Sequence, residues 1–421
     1  MNLLKIIAND ILTSPAFLMG LISLFGLLAL KKPFNKLITG TLKPILGYIM
    51  LGAGAGFIVT NLDPLGKMIE HGFGITGVVP NNEAITSIAQ NLLGKETMFI
   101  LVTGLVINVI IARVTKFKYI FLTGHHSFFM ACMFSAVLST SGLKGGILIL
   151  VGGFLLGAWS AISPSIGQKY TDLVTDDDGI AMGHFGSLGY YLSAFIGSKV
   201  GNKEDSTENI VIPEKVNFLR DSTISTAITM IVFYMIAALA AGPEYVQTNL
   251  SNGTNYIVFA LTSALSFAVD CAVFFTYAPN AVLIGFISSF IGGVIGMLIL
   301  GAVGAVLIIP GLVPHFFCGA TAGIYGNATG GKKGAIIGAF INGLLLAFLP
   351  AALLPVLGSI GFQNTTFGDF DFGVLGILIG KAVENIGEIG IYGIIAILLV
   401  ILIVPNFIKT KSHVINAKDE Y

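Results

Sequence analysis

Residues 179–198 read GIAMGHFGSLGYYLSAFIGS, and residues 311–334 read GLVPHFFCGATAGIYGNATGGKKG. Both are rich in glycine, and Pro310 and Pro314 stand at the entry of the second. Each is too polar to face lipid and too apolar for an open loop. Non-helical backbone at membrane depth is tolerated only inside protein or against a water-filled cavity. Each stretch therefore reads as a re-entrant hairpin. A bilayer span needs ~20 mostly apolar residues. The apolar stretches around the two hairpins are 11–30, 45–60, 97–112, 119–143, 145–163, 223–242, 257–278, 282–309, 335–357, 374–386 and 389–408, eleven in all. By that count the first hairpin enters from inside and the second from outside. Paired broken segments of opposite topology are the trace of inverted-repeat transporters, with substrate at the midplane. The expected fold class is all-α, a polytopic membrane protein.

Composition points the same way. Of 421 residues, 55% are hydrophobic and 10% charged, and the mean hydropathy is +0.89. A soluble domain carries roughly a quarter charged residues. This excludes a water-soluble enzyme and a disordered chain. Lys+Arg and Asp+Glu are 22 each, so no basic field exists to hold nucleic acid. The 53 glycines suit closely packed or broken helices. With the N-terminus outside, the inner loops collect Lys31, Lys32, Lys36, Arg113, Lys116, Lys118, Lys169, Lys199, Lys203, Lys215, Arg220, Lys409, Lys411 and Lys418. Lys332 and Lys333 go to the outer side on this reading. The bias favours N-out, C-in, as an odd number of spans requires. The opening MNLLKIIANDILTSPAFLMG reads as a lead-in to the first span, not a cleaved signal. The polar segment 201–221 divides one membrane domain, 1–421, into approximate halves 1–200 and 222–421. No GxxxxGK[ST] occurs, so energy comes from an ion gradient or a partner. Cys132, Cys271 and Cys318 show no CxxC or Cys/His metal spacing and read as small buried hydrophobes. No cofactor or metal is expected.

An ionisable group inside an apolar span is costly and reads as functional. Asp270, in ALTSALSFAVDCAVFFTYAPN, is such a group. His125 and His126 lie in FLTGHHSFFMA, and His184 lies in AMGHFGS. Two Gly-His steps recur there, Gly124-His125 and Gly183-His184. A neutral imidazole has one donor and one acceptor, which suits a sugar hydroxyl. His125, His184 and Asp270 have no spacing that calls for a metal. His315 opens the second hairpin, and Asn327–Gly331 forms a tip able to present backbone N–H groups. Trp159, the single tryptophan, reads as an interfacial anchor. Asp176, Asp177 and Asp178 read as a solvated turn.

The stretches LTGHHSFF, SIGQKYTDLVTDDDGIAMGH, AVDCAVFFTYAPNAVLIGF and LIIPGLVPHFFCGATAGIYGNATGGKKGA resemble the ascorbate-type membrane component (EIIC) of bacterial phosphotransferase systems. The resemblance runs along nearly the whole chain. It implies an inner-membrane homodimer with a core domain that moves, elevator fashion, against a dimerising scaffold. It implies uptake of L-ascorbate or a relative and its phosphorylation by cytoplasmic EIIB, itself charged by EIIA. It places His125, His184 and Asp270 in the sugar pocket. Two departures stand out. Where relatives carry Gln, this chain has Phe129, four residues after His125, and Phe185, directly after His184. Glu83 falls near a usual aromatic. A site built to hydrogen-bond hydroxyls discriminates strongly, so these rings bear on the ligand. The alternative is a proton- or sodium-coupled carrier with Asp270 as its coupling carboxylate.

Overall fold

The computed structural model describes residues 14–74, 78–176, 179–210, 215, 222–271, 278–311, 314–357 and 365–407. These form helices α1 (Pro15–Ala29), α2 (Phe34–Phe73), α3 (Asn82–Val114), α4 (Gly124–Thr140), α5 (Gly145–Thr175) and α6 (Ser187–Val200). They continue as α7 (Ser222–Ala241), α8 (Pro243–Asn249), α9 (Tyr256–Cys271), α10 (Pro279–Ala302), α11 (Ala320–Leu357), α12 (Phe370–Ile386) and α13 (Glu388–Phe407). A π-turn, His315–Gly319, leads into α11. Two short parallel strands, β1 (Val79–Pro80) and β2 (Thr365–Thr366), pair Val79 with Thr365 and Pro80 with Thr366. Val78 also bridges Ile308. The architecture is helical, as composition demands. Among the described residues, five helical stretches are long and apolar enough to cross a membrane: Leu92–Val114, Gly145–Thr175, Asn280–Ala302, His315–Leu357 and Glu388–Asn406.

The fourth of these is not one rod. Gly331 has φ 57° and ψ −147° inside α11, and the chain reverses there. Gly326 and Gly334 lie in backbone contact, so a Cβ on either would overlap the other's carbonyl group. In a straight helix those residues would stand about 12 Å apart. The arm before Gly331 starts at the π-turn, and the arm after it runs on to Leu357. The 311–334 segment is therefore the first arm, its reversal and the first residues of the second arm.

The reversal also moves Lys332. Its backbone N–H donates to the Asp205 carbonyl at 2.8 Å, and its Nζ lies 2.9 Å from the Asp205 carboxylate. Lys332 thus shares a side with the 201–210 segment. The expectation that put Lys332 outside and residue 205 inside fails here, because the hairpin is longer than the polar stretch that announced it. The pair is partly exposed, so Asp205→Asn is expected to lower stability by only about 0.2–1 kcal/mol. Thermal unfolding at low and high salt checks this; the difference should shrink as salt screens the pair.

The same element order occurs twice. Helix α3, an extended stretch before Gly124, helix α4, helix α5, an extended stretch ending at Phe185-Gly186 and helix α6 make the first. Helix α10, an extended stretch to Gly311, the first arm of α11, its second arm, an extended stretch ending at Phe367-Gly368 and helix α12 make the second. Packing repeats as well. α3 lies against α4 and α5, and α10 lies against both arms of α11. Glycine permits the closeness: a Cβ on Gly157 would sit 2.7 Å from the Gly104 carbonyl oxygen. Helices α1, α2, α7 and α9 pack chiefly among themselves. The division at 201–221 therefore separates neither packing group; each draws on both halves of the chain.

Candidate functional site

The two Phe-Gly corners meet. Each ends an extended stretch and starts a half-length helix, α6 or α12. The N-terminus of α6 has no side-chain cap of its own. Asp371, in the first turn of α12, supplies one across the junction. Its carboxylate accepts from the Ser187 hydroxyl at 2.9 Å and from Leu188 N–H at 3.0 Å. In return the Asp371 N–H donates to the Phe185 carbonyl at 2.9 Å. A carboxylate at a helix N-terminus satisfies orphan amides and opposes the helix dipole favourably. Asp371 is fully buried, which makes this junction a fixed point of the fold.

Three imidazoles gather beside it. His126, on the first turn of α4, is 4% exposed. Its ring centroid lies 3.8 Å from that of His184 and 4.5 Å from that of His125. His126 Nδ1 is 3.6 Å from Asp369 Oδ2. The Asp369 Oδ2 accepts from Asn82 Nδ2 at 3.0 Å, and its Oδ1 accepts from the Cys318 thiol at 3.3 Å. Asn82 Oδ1 in turn accepts from Gly368 N–H at 2.8 Å. His184 Nδ1 lies 2.9 Å from Gly186 N and 2.8 Å from the Tyr190 hydroxyl. Tyr190 also stands 3.6 Å from Cys318 Sγ. The cluster thus draws on α3, α4, both Phe-Gly corners, α6 and the π-turn. It joins residues from 82 to 369.

The residues singled out in the sequence distribute as follows. His125 and His184 are half-buried and converge, with His126 between them. Phe129 stands edge-on to His125 at 5.9 Å, one helical turn away. Phe185 is fully buried, stacks on Phe121 at 4.3 Å and stands edge-on to His126 at 6.2 Å. Glu83 is in the first turn of α3 and Asp270 is the penultimate residue of α9; both side chains lie outside the described residues. His315 is buried, with Nδ1 2.9 Å from the Ser289 hydroxyl. Asn327 accepts from Thr207 N–H at 2.8 Å, so the hairpin tip packs on the 201–210 segment. That end of α6 is about 20 Å from the imidazoles, at ~1.5 Å per residue. Trp159 is buried in the helical core, not an interfacial anchor, because α5 is covered on that face. Cys318 is buried as expected but lies inside the polar cluster. Asp176 is exposed in a left-handed cap, as a solvated turn requires; Asp177 and Asp178 lie outside the described residues.

His126, His184 and Asp369 each offer a ligand atom within 4.8 Å of the others. Their hydrogen bonds argue against a cation. His184 Nδ1 faces two donors, so the neutral ring keeps its proton on Nε2, the atom a metal would need bare. The arrangement suits neutral hydroxyl groups.

The fold and site define a multi-pass membrane protein with a buried, imidazole-lined polar centre. The family profile of the EIIC-GAT sugar-specific permease component of phosphotransferase systems matches residues 10–269 and 268–371, and the chain belongs to that family. A curated relative, the "Ascorbate-specific PTS system EIIC component" of Mycoplasma pneumoniae, is 25% identical over 474 aligned positions, covering 90% of this chain and 71% of the relative.

Proposed function

We propose that this permease component takes up L-ascorbate or a related sugar acid or polyol and presents it to cytoplasmic EIIB for phosphorylation. The carrying observation is the meeting of two Phe-Gly corners beside three imidazoles in a chain of this family. On this reading the re-entrant pair is 179–200 and 365–386, the second replacing the 311–334 stretch expected from the sequence. Their half-helices meet head to head, which suits entry from opposite sides and a binding site at the midplane. The ligand contacts His184 and His125 on the half-buried side, near Phe129. Asp270 and Glu83 complete the pocket from segments brought up in the loaded state. The core of α3–α6 and α10–α12 moves as a body against α1, α2, α7 and α9, which make the homodimer contact. EIIB, charged by EIIA, docks at the face carrying the 201–210 segment. The N-terminus is outside and the C-terminus inside. Phosphorylation makes uptake irreversible.

The test is the chemical form of the accumulated solute, in cells carrying the chain with and without its EIIB, over a panel of ascorbate, its epimers, pentitols and hexitols. A phosphorylated product that needs EIIB is expected. Unmodified solute that vanishes with an uncoupler sinks the reading. Ascorbate silent beside an accumulated polyol would keep the phosphotransfer and remove ascorbate.

A further inference from the structure

The pocket reading above leaves open what the imidazoles offer a ligand. We propose that Tyr190 and Asp369 are positioning residues that hold His184 and His126 in opposite tautomers. The pair then presents one N–H donor and one bare ring nitrogen, the pattern of an alcohol's two needs. The inference rests on the pocket reading and names its ligand chemistry: a hydroxyl group of the sugar acid or polyol, in preference to an acceptor-only carboxylate or phosphate oxygen.

The surroundings of His184 fix its tautomer. A backbone N–H only donates, and Gly186 N lies 2.9 Å from Nδ1. Nδ1 is therefore bare. The Tyr190 oxygen, 2.8 Å from the same atom, must then donate its proton to it, sharing the lone pair. A proton on Nδ1 would collide with the Gly186 N–H, so the ring is neutral and protonated on Nε2. Among the described residues Nε2 takes no hydrogen bond, and the ring is half-buried. Its N–H is available.

His126 is set the other way. Its buried Nδ1 has no hydrogen-bond partner. The carboxylate facing it is Asp369, with Oδ2 at 3.6 Å. A carboxylate only accepts, and a bare nitrogen there would face it lone pair to lone pair. The proton belongs on Nδ1, which leaves Nε2 bare. Asp369 cannot turn away, because Asn82 and Cys318 hold both its oxygens. Cys318 lies between Asp369 and Tyr190, donating to Asp369 at 3.3 Å with its sulfur in contact with the Tyr190 hydroxyl at 3.6 Å. An alcohol donates to the bare nitrogen and accepts from the N–H. An acceptor-only oxygen finds only half of the match.

Ring-nitrogen NMR of the full chain, labelled with ¹⁵N-histidine in lipid nanodiscs, reads the tautomers directly. His184→Gln and His126→Gln assign the signals by their loss. Both rings are expected neutral at pH 7, His184 protonated at Nε2 and His126 at Nδ1, with Tyr190→Phe shifting the His184 signal. Identical tautomers, or either ring doubly protonated, overturn the proposal. Uptake supplies the second arm. His184→Gln puts an amide where Nε2 was, and His184→Asn puts one where Nδ1 was. The Gln variant is expected to retain about tenfold more uptake than the Asn variant, the worth of one hydrogen bond. The reverse order overturns the tautomer assignment. If both variants transport like the parent while the spectra are as expected, the pocket reading falls and the ring arrangement stands.

Discussion

Gly331→Val is expected to abolish the accumulation of folded protein. The residue's φ of 57° with ψ of −147° is a conformation essentially reserved for glycine, and a side chain there costs of order 1–3 kcal/mol in strain alone. Space is the larger problem. A Cβ would fall onto the carbonyl oxygens of Asn202 and Asp205. Neither can retreat, because the Asp205 carbonyl is bonded to Lys332 N–H, and the two arms touch at Gly326 and Gly334. The reversal would open, and with it the packing of α6 on the first arm. Membrane-fraction yield and size-exclusion profile check this. A monodisperse, normally yielding Gly331→Val protein would mean that the turn is far more tolerant than its geometry allows.

Asp371→Ala is expected to be the most damaging change at the junction of the half-helices. It strips partners from the Ser187 hydroxyl and Leu188 N–H, both at a buried helix start. A buried group left unsatisfied costs about 1–3 kcal/mol, and two are left here. Asp371→Asn keeps one carbonyl oxygen as acceptor and should lose roughly half as much. The unfolding temperatures of the two variants in detergent, compared with the parent, check the order. Equal values for Ala and Asn would show that the carboxylate is not the cap.

Much of the architecture was legible from hydropathy. The helical class, the polar stretch around His184 and the gathering of Gly-His steps all follow from residues costly to leave in lipid. Phase was harder. The residues singled out were His125 and Glu83, whereas His126 and Asn82 carry the described contacts to Asp369. One residue on a helix is a rotation of about 100°, and an isolated pair such as His125-His126 has no periodicity to fix it. Asp369 and Asp371 went unread because they lie just before the 374–386 span, where acidic residues look like an ordinary loop end. The signal was present in the recurrence of Phe-Gly, as HFGS at 184–187 and TFGD at 366–369. The 311–334 stretch contains the reversal at Gly331, but the arm that follows is as apolar as any span, and hydropathy does not show where a chain turns back.

The bond between Asn82 and Asp369 closes across 287 residues, and β1 waits for β2 over nearly the same interval. A chain emerging N-terminus first carries Asn82, His126 and His184 long before Asp369 and Asp371 exist to receive them. Contacts so distant in sequence form late and slowly. Until then the α6 helix start has no carboxylate, and the nascent protein holds an open polar seam among apolar helices. Assembly of the polar centre therefore waits until residue 371 has been made.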